Sequence, residues 1–389
     1  MGMTLRHFIA LGVIAFVVAF ITVPLVKRLA FKLNAIDYPC ARRVNTIPTP
    51  RMGGVAIFIG VFAALCVEVL GEKYLGWAGF YVSSGYLQVD HLGVMVGLTV
   101  ITFVGAVDDV VSLSPIMKLI GQIVGASIIA ASGVLLGSIM NPFGPGFISF
   151  GWVAYPLTVF YLVAFMNVIN LVDGLDGLAG GIIVIASFTL FVIAFGKGRV
   201  EAAMLSIMLL GATLAFLRYN FNPASIFMGD SGSLFLGATL GVISLLGVMR
   251  SPAFIVLAAP LIIAAIPIMD TFAAIVRRLY HHQPIQQADR GHLHHMLLKE
   301  GFSTRKSVLI IHAWTAVLAL GAFLMSNSYG ISVFVLFVLL AGISFIILFK
   351  IGIFDPVLHH HYGKRQSQPV SSHADNVGVN DIQSLEEKD

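Results

Sequence analysis

The sequence predicts an all-α, polytopic membrane protein, and two observations carry this prediction. Of its 389 residues, 58% are hydrophobic and only 11% are charged, whereas a soluble domain has about 25% charged residues. Apolar stretches of about 20 residues, long enough to cross roughly 30 Å of hydrocarbon, recur along most of the chain. A soluble enzyme is therefore excluded. The two cysteines, Cys40 and Cys66, are too few for a disulfide framework or a four-cysteine zinc site.

We expect about eleven transmembrane helices. The expected spans are residues 7–26, 52–70, 92–107, 117–137, 152–169, 179–195, 202–217, 232–249, 253–276, 308–325 and 331–349. The first span lacks a small-residue cleavage site and is followed by others, so we interpret it as an uncleaved helix. Residues 1–350 then form one transmembrane domain, and the polar residues 351–389 form a cytoplasmic tail that we expect to be disordered.

Basic residues set the expected orientation, because lysine and arginine collect in cytoplasmic loops. Most of the 23 basic residues fall on the cytoplasmic side if the N-terminus lies outside and the C-terminus inside. The net charge of +4 comes from these loops and does not indicate binding of nucleic acid. The partner that the sequence requires is the lipid bilayer.

Five aspartates fall at the cytoplasmic ends of the expected spans. They are Asp108 and Asp109 after the third span, Asp173 and Asp176 after the fifth, and Asp230 before the eighth. Acidic residues that border apolar helices are costly and usually functional. Their position on one side therefore predicts an acidic, cation-binding site open to the cytoplasm.

The adjacent carboxylates of Asp108 and Asp109 suit oxygen ligation of a hard cation such as Mg²⁺. A solvated helix end explains this pair equally well. Lys118 follows in the chain and can hold a phosphate, which favours the functional interpretation.

The segment 167–177 combines amides, carboxylates and two glycines. Asn167 and Asn170 share a helical face, but at about 100° per residue an unbroken helix points Asp176 away from Asn167. The glycines allow the backbone to leave the helix and approach a ligand closely. We therefore interpret this segment, including Asp173, as part of a polar pocket rather than an ordinary turn.

Phe227 and Asp230 precede the eighth span. Asp230 suits a helix N-cap, but a helix N-terminus is also a ready site for anions. Phe227 can stack on a flat base or pack at the membrane interface. The residues themselves leave these alternatives open.

The loop after the ninth span holds Arg290, His292, His294 and His295. Three histidines at this spacing first suggest zinc. No cysteine lies nearby, however, and the acidic motifs favour a hard metal with oxygen ligands. Histidines that hydrogen-bond a phosphate chain therefore fit better.

Four of these motifs together resemble the polyprenyl-phosphate N-acetylhexosamine-1-phosphate transferase family. The matching segments are VGAVDD at 104–109, FMNVINLVDGLDGLAGG at 165–181, FMGDSG at 227–232 and HLHH at 292–295, with RRVN at 42–45 and PRMGG at 50–54. The resemblance covers about residues 8–350. The spacing HLHH is similar to the WecA/TagO-like branch, which uses UDP-N-acetylglucosamine. Asn45 stands where the family often has a histidine, so no role is carried over to it.

The resemblance implies an enzyme of the bacterial cytoplasmic membrane with an active-site cleft that faces the cytoplasm. It would transfer N-acetylglucosamine 1-phosphate from UDP-N-acetylglucosamine to undecaprenyl phosphate, release UMP and start a teichoic acid, an O-antigen or another surface polymer. The implied cofactor is Mg²⁺, with Mn²⁺ as a substitute. The implied metal ligands are Asp230 and Asp109, and Asp108 lies near the metal and the lipid phosphate as a third catalytic residue.

The resemblance also implies contacts with the substrates. Asn170 and Asp173 would approach the ribose, Asp176 and Phe227 the uracil, and the three histidines the diphosphate or the sugar. Further expected substrate contacts are Arg43, Lys118, Asn167 and Arg290.

Two alternatives to this function are open: one has a different substrate, and the other is a different class of protein. The same reaction with UDP-MurNAc-pentapeptide is typical of the MraY branch, which tends to carry three consecutive histidines in this loop and a threonine at the position of Arg51. Many spans with membrane carboxylates also describe ion-coupled secondary transporters, but those place charges near the bilayer midplane and often have an inverted repeat, which is not visible here. The sequence leaves open whether the protein forms a homodimer.

Overall fold

The computed structural model of the chain describes residues 4–39, 47–75, 89–140, 146–249, 261, 264–280, 293–328 and 331–350. Its helices are α1 (Leu5–Lys32), α2 (Gly53–Leu75), α3 (His91–Val111), α4 (Pro115–Ala131), α5 (Ala154–Val172), α6 (Leu178–Gly196), α7 (Val200–Asn220), α8 (Gly229–Met249), α9 (Ala265–Tyr280), α10 (Leu293–Lys299), α11 (Thr304–Ser326) and α12 (Ile331–Lys350). Two short antiparallel pairs join β1 (Ile36–Asp37) to β2 (Thr49–Pro50) and β3 (Ser138–Met140) to β4 (Phe147–Ser149). The predicted all-α, polytopic class is confirmed.

Nine helices in the described ranges are long and apolar enough to cross a membrane. They correspond to nine of the eleven expected spans, and the exceptions are the fourth and the ninth. At the fourth, α4 has only 17 residues and a length of about 26 Å. The expected span 117–137 was too long, because α4 ends at Ala131 and Gly133 takes a positive φ of 91° before the chain enters β3. The ninth expected span begins in residues outside the described ranges, and its last part lies in α9.

Helix α8 lies at the centre of the bundle. In its apolar window 89% of the residues are buried, against 17% in that of α12, and it packs against α2, α3, α5 and α7. Glycines allow this packing: a Cβ at Gly237 would lie 2.6 Å from the Cα of Met166 in α5. Close approach at small residues is the usual basis of helix association in lipid, where apolar side chains gain little from leaving the solvent.

Successive helices run in opposite directions, so alternate helix ends meet at the same side of the bundle. The C-terminal ends of α3, α5 and α7 lie beside the N-terminal ends of α2, α4, α6 and α8. We call this side the site face and the other side the opposite face. The segments at 112–114, 173–177 and 221–228 lie at the site face and carry or adjoin the predicted site residues.

Candidate active site

The N-terminus of α8 lies at the centre of the site, and the other segments of the site pack against it. The carbonyls of Phe227 and Met228 accept hydrogen bonds from the backbone of Gly53 and Gly54, both at 2.9 Å, and the Phe227 N–H donates to the carbonyl of Pro50 at 2.8 Å. A Cβ at Gly54 would lie 1.9 Å from the backbone of α8 at its fourth residue. The PRMGG segment therefore holds the N-terminus of α2 against the N-terminus of α8.

Asp109 caps α8 from the end of α3. Its Oδ1 accepts from the Asp230 N–H at 2.8 Å and its Oδ2 from the Ser231 N–H at 3.1 Å, and the residue is only 2% exposed. The first N–H groups of a helix have no partners within it and carry partial positive charge, so a carboxylate there is stabilised. Asp109 thus holds Asp230 in place through the backbone. Its expected role as a metal ligand stays a prediction.

Gly229, at the first position of α8, is required by this cap. It has a φ of +72°, which an L side chain rarely adopts. A Cβ there would also lie 2.5 Å from Oδ2 of Asp109. The glycine before Asp230 in the FMGDSG motif therefore makes room for the capping carboxylate.

Lys118 joins three of the predicted site residues. Its ammonium contacts Oδ2 of Asp230, lies 3.4 Å from Oδ2 of Asp108 and donates to Oδ1 of Asn170 at 3.5 Å. Asn170 Nδ2 donates to Oδ1 of Asp230 at 2.6 Å and to the hydroxyl of Ser233 at 2.8 Å. The structure thus brings residues from α3, α4, α5 and α8 into one polar cluster at the site face. Sequence reasoning missed Ser233.

The cluster has the donor chemistry of a hard-cation site. Two carboxylates and an amide oxygen surround one ammonium group, and such oxygens are the ligands that Mg²⁺ and Mn²⁺ prefer. Within the described ranges, no three His, Cys, Asp or Glu side chains already stand in a metal-binding arrangement. Lys118 is the positive charge that balances these carboxylates.

Asp173 is a carboxyl group without a hydrogen bond to its side chain in the part of the chain that the structure describes. It follows the last residue of α5. Burial, together with the charges of Asp230, Asp109 and Asp176, raises its pKa to about 8. A cation or a ligand N–H bound nearby would stabilise the ionised form of this group.

Asp176 ties the segment after α5 to the segment before α8. Its Oδ2 accepts hydrogen bonds from Asn222 Nδ2 and from the backbone of Ala224, both at 2.9 Å. Asn220 adds a second tie, since its side chain accepts from the Gly177 N–H and donates to the carbonyl of Ile226, both at 3.0 Å. The structure therefore brings Asp176 to the loop that carries Phe227, which is half-buried.

Asn167 is a predicted site residue that the structure does not bring into the polar cluster. Its Nδ2 donates to Oε1 of Gln122 and to the carbonyl of Val163, both at 2.8 Å. Gln122 is 1% exposed and lies one helical turn after Lys118. This amide pair joins α4 to α5 beneath Lys118 and Asn170. Sequence reasoning missed Gln122, although its position four residues after Lys118 places both polar side chains on the same face of α4.

Arg51 and Asp270 are further polar residues around the site. Arg51 Nε donates to the carbonyl of Asp109 at 2.9 Å, which fixes the end of α3 to the PRMGG segment. Asp270, which is 3% exposed, accepts from the Leu293 N–H at 2.9 Å. It therefore holds the start of α10.

Five predicted site residues are not placed by these contacts. Arg43, Arg290 and His292 lie outside the described residues. For His294 and His295 the structure describes the backbone, which forms the first turn of α10. Their expected contacts with substrate stay predictions.

These observations define the class: a multi-pass membrane protein whose helix ends assemble an acidic, lysine-containing site at one face. Residues 91–248 match the family described as glycosyl transferase family 4. They contain α3 to α8, so the matched segment holds the complete polar cluster.

Curated relatives cover most of the chain. One from Bacillus subtilis (strain 168), described as "Probable undecaprenyl-phosphate N-acetylglucosaminyl 1-phosphate transferase", is 40% identical over 84% of this chain and 89% of its own length. A decaprenyl-phosphate N-acetylglucosaminephosphotransferase of Mycobacterium leprae is 36% identical over 82% of this chain and 84% of its own. An undecaprenyl-phosphate alpha-N-acetylglucosaminyl 1-phosphate transferase of Salmonella typhi is 30% identical over 76% and 77%. The chain belongs to glycosyl transferase family 4, and the resemblance seen in its motifs is confirmed.

Proposed function

We propose that this protein transfers N-acetylglucosamine 1-phosphate from UDP-N-acetylglucosamine to undecaprenyl phosphate and releases UMP. The relatives named for this transfer support the proposal. The single structural observation that carries it is the cluster of Asp108, Lys118, Asn170 and Asp230 at one end of the membrane helices. A lipid phosphate at the membrane surface and a nucleotide from the aqueous side would meet at such a place.

Magnesium, or manganese in its place, would be held by Asp230 and Asp108 together with the amide oxygen of Asn170. When bound, it neutralises phosphate charge and orients the diphosphate. Lys118 has three N–H donors, and in the structure all three of its partners are oxygens of this cluster. A divalent ion held there would balance the carboxylates, and Lys118 would then donate to a phosphate oxygen.

The transfer itself needs positioning and charge balance more than covalent help from the protein. An oxygen of the lipid phosphate attacks the phosphorus that carries the sugar, a new P–O bond forms, and the P–O bond to UMP breaks. A phosphate monoester with a second pKa of about 6 is already mostly a dianion at neutral pH. Proton removal by Asp108 therefore contributes little to the rate. Its carboxylate acts chiefly by holding Lys118 and would also help to hold the cation.

The nucleotide would lie along the junction between α5 and α8. Asp173 would hydrogen-bond the ribose, and Asp176 and Phe227 would bind the uracil. The geometry supports this in one respect: Asp176 uses Oδ2 for the loop before α8, which leaves Oδ1 for a ligand N–H. The histidines and Arg290 would contact the diphosphate or the sugar, and Arg43 the phosphates.

The site face would be cytoplasmic, with the N-terminus outside and the C-terminus inside the bacterial inner membrane. Nucleotide sugars are made in the cytoplasm, and the distribution of basic residues supports this orientation. The lipid-linked sugar would start a cell-wall or surface polymer of the teichoic acid or O-antigen type.

The decisive assay mixes the purified full chain with undecaprenyl phosphate and either UDP-N-acetylglucosamine or UDP-MurNAc-pentapeptide. We expect release of UMP with the first nucleotide, loss of release with EDTA, and recovery with Mg²⁺ or Mn²⁺. UMP release from the pentapeptide substrate alone would overturn the proposed specificity. Transport of nucleotide sugar into vesicles without UMP release would overturn the enzyme proposal.

The same assay without lipid acceptor tests direct attack. We expect no labelled protein when the sugar phosphate carries the label. A phosphorylated or glycosyl-phosphorylated aspartate under these conditions would show a covalent intermediate instead.

A further inference from the structure

A second cavity lies at the opposite face of the bundle, away from the polar cluster. Helices α2, α3, α7 and α8 line it, and its volume is about 40 Å³. Glu68 in its wall lies about 22 Å along α2 from Gly53, at about 1.5 Å per residue. Because α2 and α3 both pack on α8 but make few contacts with each other, the cavity opens between them. We call it the opposite-face cleft.

Glu68 has a carboxylate oxygen that none of the described residues satisfies. The residue is 1% exposed. Its Oε2 lies 2.9 Å from Nε2 of His7 in α1, but its Oε1 is buried without a hydrogen-bond partner. A buried acceptor without a donor is costly, and a carboxylate is the costliest kind. No described residue supplies this donor, so the position is open to a donor from outside the chain.

The remaining walls show what kind of donor fits. The other polar residues of the cleft are His91 and Glu201, and the rest of its lining is aliphatic or methionine. Carboxylates favour a cation, but the described residues contain no group of three side chains arranged for a metal ion. Because the walls are mostly apolar, they favour an organic cation whose charged group is bonded directly to a hydrocarbon segment.

Membrane lipid is the source of such a ligand at this position. The cleft lies at the ends of spanning helices, and nearby side chains of α2 and α3, Val69 and Leu92, are 41% and 67% exposed. These surfaces face lipid in a protein of this class. A lipid headgroup that carries a primary ammonium has N–H donors for Glu68 and adjoining carbon for the apolar walls.

We propose that the opposite-face cleft binds the primary ammonium of a membrane lipid headgroup, which donates a hydrogen bond to Oε1 of Glu68. This site is independent of the transfer reaction and does not rest on the function proposed above.

The test measures binding to the purified full chain in a neutral detergent, with decylamine, decanol, phosphatidylethanolamine and phosphatidylglycerol as probes. Decylamine and decanol have the same chain and differ in the charged donor. We expect decylamine to bind at least about tenfold more tightly than decanol, since charge-assisted hydrogen bonds are the strong ones. Phosphatidylethanolamine should bind more tightly than phosphatidylglycerol by a similar factor.

Matched variants separate this site from general lipid contact. Glu68→Gln should weaken decylamine and phosphatidylethanolamine binding about tenfold. Glu72→Gln is the control: Glu72, one turn further along α2, also has a buried carboxylate oxygen without a partner among the described residues, but it does not line the cleft. This change should alter binding less than about threefold. Leu246→Trp fills the cleft without changing charge and should also weaken binding. Thermal unfolding without probe verifies that each variant is folded.

Equal binding of decylamine by Glu68→Gln and the parent protein would overturn the proposal, and so would equal binding of decanol and decylamine. If Glu68→Gln weakens decylamine binding but the two phospholipids bind equally, the assignment to a lipid headgroup is overturned.

Discussion

Buried carboxylates occur at both ends of the helix bundle, but the protein satisfies them in different ways. At the site face, Asp109 accepts two backbone N–H groups and Asp230 contacts both Lys118 and Asn170. At the opposite face, Glu68 has one partner and one unsatisfied oxygen. The site face is therefore organised by the chain itself before any ligand arrives. At the opposite face, Oε1 of Glu68 and Oε2 of Glu72 have no donor among the described residues.

The two faces also differ in how tightly their backbones pack. At the site face, Gly54 and Gly105 leave no room for a Cβ because the N-terminus of α8 lies against them. At the opposite face, Gly137 and Gly196 have no neighbouring atom within 4 Å of such a Cβ. Tight packing fixes the positions of charged groups, which is what catalysis of phosphoryl transfer requires. The comparison thus predicts that substitutions at the site face cost far more.

The largest effect should come from Asp230→Asn. This change removes the charge that pairs with Lys118, and we expect UMP release to fall at least about 10³-fold, or about 4 kcal/mol in the barrier. Glu201→Gln is the control, since it removes a carboxylate at the opposite face, and it should leave the rate within about threefold. An Asp230→Asn variant with more than a tenth of the parent rate would break the contrast between the faces.

Gly54→Ala should have the next largest effect, on stability. The new Cβ would lie 1.9 Å from the α8 backbone at Gly232, so one helix must shift at a cost on the order of 3 kcal/mol. Gly137→Ala is the matched change in open space at the opposite face. Thermal unfolding in detergent compares the two, and equal midpoints would show that the tight packing is not important.

Asp109→Asn distinguishes a capping role from a metal role. The amide keeps one acceptor oxygen for α8, so we expect a loss of about 1–2 kcal/mol in stability and a lower rate of UMP release. The Mg²⁺ concentration for half-maximal rate should change less than about threefold. A rise of more than tenfold would instead identify Asp109 as a metal ligand, as the family resemblance implies.

The smallest effect should come from the amide pair beneath the cluster. Gln122→Leu leaves Asn167 without its partner, at a cost of about 1–3 kcal/mol, and should lower UMP release about tenfold by loosening Lys118. The double variant Gln122→Leu with Asn167→Leu should be more stable than the sum of the single variants predicts. Strict additivity would show that the two side chains do not act as a pair.

Much of this protein was predictable from residues close together in the chain. Apolar runs and short motifs predicted nine of the spans in their order, the common side of Asp108, Asp173 and Asp230, and the family itself. One local prediction was wrong. The fourth span was predicted too long, because hydropathy does not reveal the positive φ of Gly133, which follows the end of α4.

The partners within the site were not predictable in this way. The expected role of Asp109 at the metal stays a prediction, but the two amides of α8 that it accepts were not predicted. The pairing of Asn167 with Gln122 was not predicted either. Both cases depend on which side chains of separate helices come within 3 Å of each other, and no spacing along one helix contains that information.

The sequence by itself determined that the chain crosses the membrane many times and carries its acidic motifs at one face, because transfer into lipid and the placement of basic loops depend on local composition. Only the tertiary structure decided which carboxylate caps α8, which one contacts Lys118, and which oxygen of Glu68 has no donor among the described residues. The reason is that helix association in lipid follows shape and small residues, not hydrophobicity. Contacts between distant segments arise only when the whole bundle packs.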